Sequence, residues 1–160
     1  MDSIGQALKS LPDVGGSALR VPGEELVLAM TELQKRQALN ARTRAVHAAC
    51  LWLRGSGLLV REDVGRHNAL DKIIGAAGAS GAIPAGHSVV LLTSRVSVEL
   101  VQKTARLGAP IIAAISVPTA LAVKMADEAG ITLAAILRGE DFEIFTRPER
   151  ITGEARRHEA

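Results

Sequence analysis

Three short apolar runs decide the fold: Ser88-Val89-Val90-Leu91-Leu92-Thr93, Ile111-Ile112-Ala113-Ala114-Ile115-Ser116 and Ile131-Thr132-Leu133-Ala134-Ala135-Ile136-Leu137. A strand that is apolar at every position must be buried on both faces, which happens when helices cover both sides of a parallel sheet. The intervening segments 97–107 and 119–129 carry apolar residues at helical spacing, and each stops at a glycine, Gly108 or Gly130. Apolar runs alternating with helices predict a three-layer αβα domain of the α/β class, with a mostly parallel sheet.

Working outward, Ala69, Leu70, Ile73, Ile74 and Ala77 recur at 3–4 spacing and predict a helix over 63–77. Before it, strands over 45–53 and 58–62 flank the tight turn Arg54-Gly55-Ser56-Gly57, which predicts an N-terminal hairpin. Pro22-Gly23 opens a helix from Glu24 to about Asn40, with Leu26, Met30 and Leu33 on one face and Glu24 and Glu25 in the first turn. A last short strand is expected over 142–146. Residues 1–22 read as irregular lead-in, 23–150 as one α/β domain, and 151–160 as a polar, frayed tail.

The 160 residues are the length of one domain and suffice to bury roughly 70% of the unfolded surface. The single cysteine, Cys50, excludes a disulfide framework and a Cys-rich zinc site, and its apolar neighbours mark it as a buried small hydrophobe. Nineteen basic against 17 acidic residues give a net charge of +2, too balanced to indicate nucleic acid. The only aromatics, Trp52, Phe142 and Phe145, leave none for base stacking. Apolar stretches fall short of the ~18 residues of a membrane span, and the N-terminus lacks a signal pattern. The expectation is a soluble, cytoplasmic protein that binds neither membrane nor nucleic acid.

In open α/β sheets, ligands bind beyond the carboxyl ends of the strands, where helix N-termini present free N–H groups. The loops expected there are 61–68, 93–97, 116–119 and 138–141, and three of the four carry an arginine: Arg66, Arg95 and Arg138. Arginines, the hydroxyls of Ser94, Ser97 and Thr119, and helix N-termini together make an anion site, most often for phosphate. The bland reading is that these residues are caps and solvated turns; Ser97 and Thr119 are good N-caps in their own right. His67 with Asp71, and Asn68 with Lys72, are spaced as helix-surface pairs or as ligand-facing groups. His47 reads as a core histidine, and Lys103 as a solvated side chain. There is no P-loop, no GxGxxG and no zinc-deaminase pattern, so no catalytic residue and no metal ligand is assigned. The residues alone reach an anionic, nucleotide-like ligand, with a small enzyme for a phosphorylated substrate as an alternative.

The block Glu62-Asp63-Val64-Gly65-Arg66-His67-Asn68-Ala69-Leu70-Asp71-Lys72 resembles the signature of the FdhD family of formate dehydrogenase accessory sulfurtransferases. Two further blocks, from Thr93-Ser94-Arg95 to Lys103 and from Ser116-Val117-Pro118-Thr119 to Val123, resemble the family in the same order. The likeness runs from about His47 to Arg150. It implies a cytidine-deaminase-like fold without zinc ligands, and a homodimer. It also implies sulfur transfer, from a cysteine desulfurase to the molybdenum bis(molybdopterin guanine dinucleotide) cofactor of formate dehydrogenase. The family's cofactor-binding stretch matches Ala135, Ile136, Leu137, Arg138, Gly139 and Glu140. With Arg66, His67, Ser94, Arg95 and Thr119, these form the expected cofactor site, for which GDP or GTP would be a mimic.

Two departures stand out. The family's persulfide cysteine lies in a Cys-Gly-x-Cys-Gly loop that this chain lacks, and Cys50 does not match it. A start at Met1 that is not native accounts for this, as does a shortened member that binds without transferring, a non-catalytic assembly module. A family Thr-Gly-Gly is replaced by Thr43-Arg44-Ala45.

Overall fold

The computed structural model describes residues 13–37, 46–80, 85–138, 141–153 and 156–157. In chain order these form β1 (Val21–Pro22), α1 (Gly23–Lys35), β2 (His47–Leu53), β3 (Gly57–Asp63), α2 (Arg66–Ser80), β4 (Ser88–Leu92), α3 (Val98–Leu107), β5 (Ile111–Ala114), α4 (Ala120–Glu128), β6 (Thr132–Arg138), β7 (Asp141–Thr146), β8 (Ile151–Thr152) and β9 (Arg156–Arg157).

The main sheet has the order β3-β2-β4-β5-β6-β7-β9. The three apolar runs form its parallel centre, β4 with β5 and β5 with β6. The expected hairpin leads it, β2 antiparallel to β3 and then to β4. β7 returns antiparallel on β6. Strands β3, β4, β5 and β6 therefore all point the same way.

The expectation of strands buried on both faces holds residue by residue. Ala49, Leu51, Val90, Leu92, Ile112, Ala114 and Leu133 pack under α2, α3 and α4. Their alternates Ala48, Cys50, Trp52, Val89, Leu91, Ile111, Ala113 and Ala134 pack under α1. Among the described residues, three helices cover one face and one covers the other, so the domain is the αβα sandwich that the runs imply. α3 stops where Gly108 takes a left-handed φ of 91° and returns its N–H to the Thr104 and Ala105 carbonyls.

Both ends of the chain depart from expectation. The lead-in is not irregular throughout: Val21–Pro22 pairs in parallel with Ile151–Thr152. The residues after 150 do not simply fray, because β9 adds to β7 and Ile151 is buried. Two-residue strands carry no periodicity for a pattern to show. What anchors them is Arg150, only 1% exposed. Its Nη1 donates to the carbonyls of Pro110 and Gly130 and to Thr132 Oγ1, and its Nη2 donates to the Val14 carbonyl at 2.8 Å. One guanidinium thus joins the entrances of β5 and β6 to the N-terminal segment. Gly130 has room for no side chain, since a Cβ there would lie 2.5 Å from the Gly15 backbone.

Candidate functional site

The strand order places the carboxyl ends of β3, β4, β5 and β6 along one edge of the sheet, beside the start of β2 at His47. α2, α3 and α4 all begin there, so three helix N-termini open onto the same edge, with the Ala122 N–H of α4 already bonded to Thr119. β3 and β6 are four strand spacings apart, about 19 Å.

Asp63, the last residue of β3, organises the first loop. Its Oδ1 accepts from Gly65 N at 3.0 Å and from Asn68 Nδ2 at 3.5 Å. Its Oδ2 meets Lys72 Nζ at 2.8 Å. The Lys72 ammonium, then the Gly65 N–H, hold its carboxyl down at about 2. This carboxylate turns the chain so that α2 starts at Arg66, three residues later than the periodicity suggested. The spacing of Asn68 and Lys72 thus serves Asp63 rather than a ligand. Asp71 likewise pairs with Lys103 of α3, Nζ to Oδ1 at 2.6 Å, so that lysine is not merely solvated.

Arg66 and His67 open α2. The Arg66 Nε is buried with no hydrogen-bond partner. His67 Nε2 lies 3.5 Å from Ser97 Oγ and 4.0 Å from Glu99 Oε2. The first turn of α3 thereby meets the first turn of α2. Backbone hydrogen bonding and the Ser97 hydroxyl lower the Glu99 carboxyl, with smaller help from His67 and Arg66. Ser97 occupies the N-cap position of α3 but makes no side-chain cap bond; its hydroxyl is turned to these neighbours instead.

The other expected residues fall as follows. Ser94 is buried, its hydroxyl donating to the Arg95 carbonyl at 3.2 Å. Arg95 is exposed. Thr119 caps α4, accepting from Ala122 N at 3.1 Å, and its own N–H donates to the Val96 carbonyl. Ala135 is buried inside β6, and Ile136, Leu137 and Arg138 complete that strand. Gly139 and Glu140 lie outside the described residues, as does the segment Thr43-Arg44-Ala45. The strands that lead to Arg66, Arg95 and Arg138, namely β3, β4 and β6, follow one another across the sheet at intervals of about 10 Å.

Three features escaped the sequence reading. His47 is half-buried at the edge, opposite Asp63 in the ladder, rather than in the core. The Asp63 carboxylate, signalled only by the Asp-x-Gly spacing of a turn, is the loop's organiser. Two cavities lie on the α1 face instead of along the edge. One, of about 710 Å³, is lined by Gly23, Val27, Leu28, Phe142 and Thr152; the other, of about 370 Å³, by Trp52, Arg54 and Leu58 with Glu25 and Glu32. Phe142 pairs with Ile136, so only the first approaches the end of β6. Among the described residues no cluster of His, Cys, Asp and Glu is placed to hold a metal ion, and no helix is long and apolar enough to cross a membrane.

Cys50 is fully buried, and burial pushes its thiol up to about 12.

The model of the FdhD/NarQ family matches residues 1–152. The sulfur carrier protein FdhD of Agrobacterium fabrum is 56% identical over 152 residues, covering 94% of this chain and 56% of that protein. The protein of the same name from Mycobacterium tuberculosis is 44% identical over 153 residues, covering 95% and 55%. A crystal structure of a protein assigned as a formate dehydrogenase accessory protein, from Desulfotalea psychrophila, superposes with a TM-score of 0.81 at 34% identity, over 92% of this chain and 62% of that one. The chain spans about half the length of the curated relatives it matches.

Proposed function

The chain belongs to the FdhD/NarQ family, and from that premise we propose that it is the cofactor-binding part of an accessory protein for formate dehydrogenase. Its ligand is the molybdenum bis(molybdopterin guanine dinucleotide) cofactor, held along the edge where β3, β4, β5 and β6 end. The whole protein sulfurates that cofactor in the cytoplasm, as a homodimer, with a cysteine desulfurase as the sulfur donor.

The observation that carries the reading is the meeting of three helix N-termini with Arg66 on one edge. A buried guanidinium N–H without an acceptor is costly, and a phosphate oxygen is the acceptor it fits best. An edge about 19 Å long suits an extended dinucleotide rather than a single phosphate. When bound, the cofactor supplies the molybdenum centre that is to be sulfurated. The residues of this chain bind and orient it: Arg66 and Arg95 as cations, Ser94 and Thr119 by shaping their loops, and 135–140 at the β6 end. Asp63 holds Arg66 in place through its turn.

The carrier of a persulfide needs a reachable thiolate. Cys50 is not that group, being buried with its thiol near 12. Its burial favours, as a second reading, an assembly module that grips formate dehydrogenase without transferring sulfur. A complex that persists without cofactor supports this second reading.

Calorimetric titration with GDP tests the first. Binding should weaken in Arg66→Ala and Arg95→Ala by about 1.5–3 kcal/mol each, the worth of a hydrogen bond to a charged group. No binding of GDP or GTP, or binding indifferent to both substitutions, would overturn it.

A further inference from the structure

We infer that the outer edge of β3 is an interaction surface closed to strand addition, and that Arg36, Arg61 and Lys72 close it. Among the described residues, β3 is the terminal strand of the main sheet and pairs only with β2. In an antiparallel pair every second residue turns its N–H and carbonyl away from its partner. On β3 these are Leu58, Val60 and Glu62, and each of the three carbonyls accepts a basic side chain. Arg36 Nη1 donates to Leu58 at 3.2 Å, Arg61 Nη1 to Val60 at 2.8 Å, and Lys72 Nζ to Glu62 at 3.0 Å.

The three donors arrive from different places. Arg36 follows α1 on one face of the sheet, Lys72 stands on α2 on the other, and Arg61 belongs to β3 itself. Two of the three are fixed by a second contact, Arg36 Nε to Glu32 at 3.1 Å and Lys72 to Asp63. The strand needs such protection. Leu58, Leu59 and Val60 are only half-buried, and a half-exposed apolar edge strand is a template for pairing with a second copy. An incoming strand would have to displace three charged donors and lay its own backbone beside them.

Full-length chain carrying Arg36→Ala with Arg61→Thr tests this; Lys72 is kept because it also serves Asp63. Both substituted side chains are exposed, so the fold should survive, which circular dichroism checks. Hydrogen exchange over residues 57–63 and sedimentation velocity are followed across a concentration series. In the wild type, the Leu58 and Val60 amides should exchange fast at every concentration. In the double variant a concentration-dependent species should appear in which those amides exchange at least about tenfold more slowly. A triple variant adding Lys72→Met should associate at lower concentration still. The inference is overturned if both variants sediment and exchange as the wild type does, or if they associate while those two amides stay fast.

Discussion

Lys72 Nζ lies 2.8 Å from Asp63 Oδ2 and 3.0 Å from the Glu62 carbonyl, so one ammonium on a helix grips the end of the strand that precedes it. With the Gly65 N–H, it lowers the Asp63 carboxyl from 3.8 to about 2. A folded pKa below the unfolded one adds stability that is fully present above 3.8 and lost as pH falls toward 2. Asp63→Asn should remove this dependence. Urea midpoints of wild type and variant should differ by a constant amount above about pH 5 and draw together toward pH 2. A difference that stays the same down to the acid limit would refute the assignment.

Arg150→Met should be among the most destabilising single changes in the chain. It strips the carbonyls of Val14, Pro110 and Gly130 of a charged donor, in a place where water does not replace it. The expected loss is about 3–5 kcal/mol in urea unfolding. Arg150→Lys should recover only part of it, since one ammonium cannot span the acceptors that the fork reaches. A loss below about 1 kcal/mol for the methionine variant would mean that the clamp is incidental.

Thr119 and Ser97 occupy the same position on two successive helices but differ in what their hydroxyls do. Thr119 Oγ1 accepts from Ala122 N, whereas Ser97 makes no cap bond. Thr119→Ala should therefore cost about 1 kcal/mol, and Ser97→Ala less than about 0.5 kcal/mol. Equal costs in thermal or chemical denaturation would show that Ser97 caps α3 after all.

Cys50 should be silent toward thiol reagents in the folded protein. With its thiol near 12, only on the order of one molecule in ten thousand carries a thiolate at about pH 8. Ellman's reagent should label it only at the rate of unfolding, and labelling should become fast in denaturant. Rapid modification of the native chain, or a persulfide formed there by a desulfurase, would contradict the structure.

The centre of the fold was legible because parallel strands buried on two faces leave a plain signature: Val89 to Leu92 and Ile111 to Ala114 have no polar position to spare. The hairpin was legible from its glycines, and the edge from the alternation of strand and helix. Other features depended on contacts between residues distant in the chain. Arg150 sits in a charged stretch that reads as solvated, and only the fold brings three carbonyls to it. His47 was assigned to the core because its neighbours are apolar, yet it stands at the first position of β2, where the strand has already reached the edge. The Asn68 and Lys72 spacing reads equally as a helix-surface pair or as ligand-facing groups; the carboxylate that claims both side chains lies five and nine positions before them.

The bond between Arg150 and the Val14 carbonyl also orders events during synthesis. The segment at 14 is made 136 residues before its partner. Translation at roughly 5–20 residues per second leaves that carbonyl waiting for several seconds or more. The segment that lies across the base of the sheet therefore stays unclamped until Arg150 has been made and has left the ribosome, after every strand of the parallel centre.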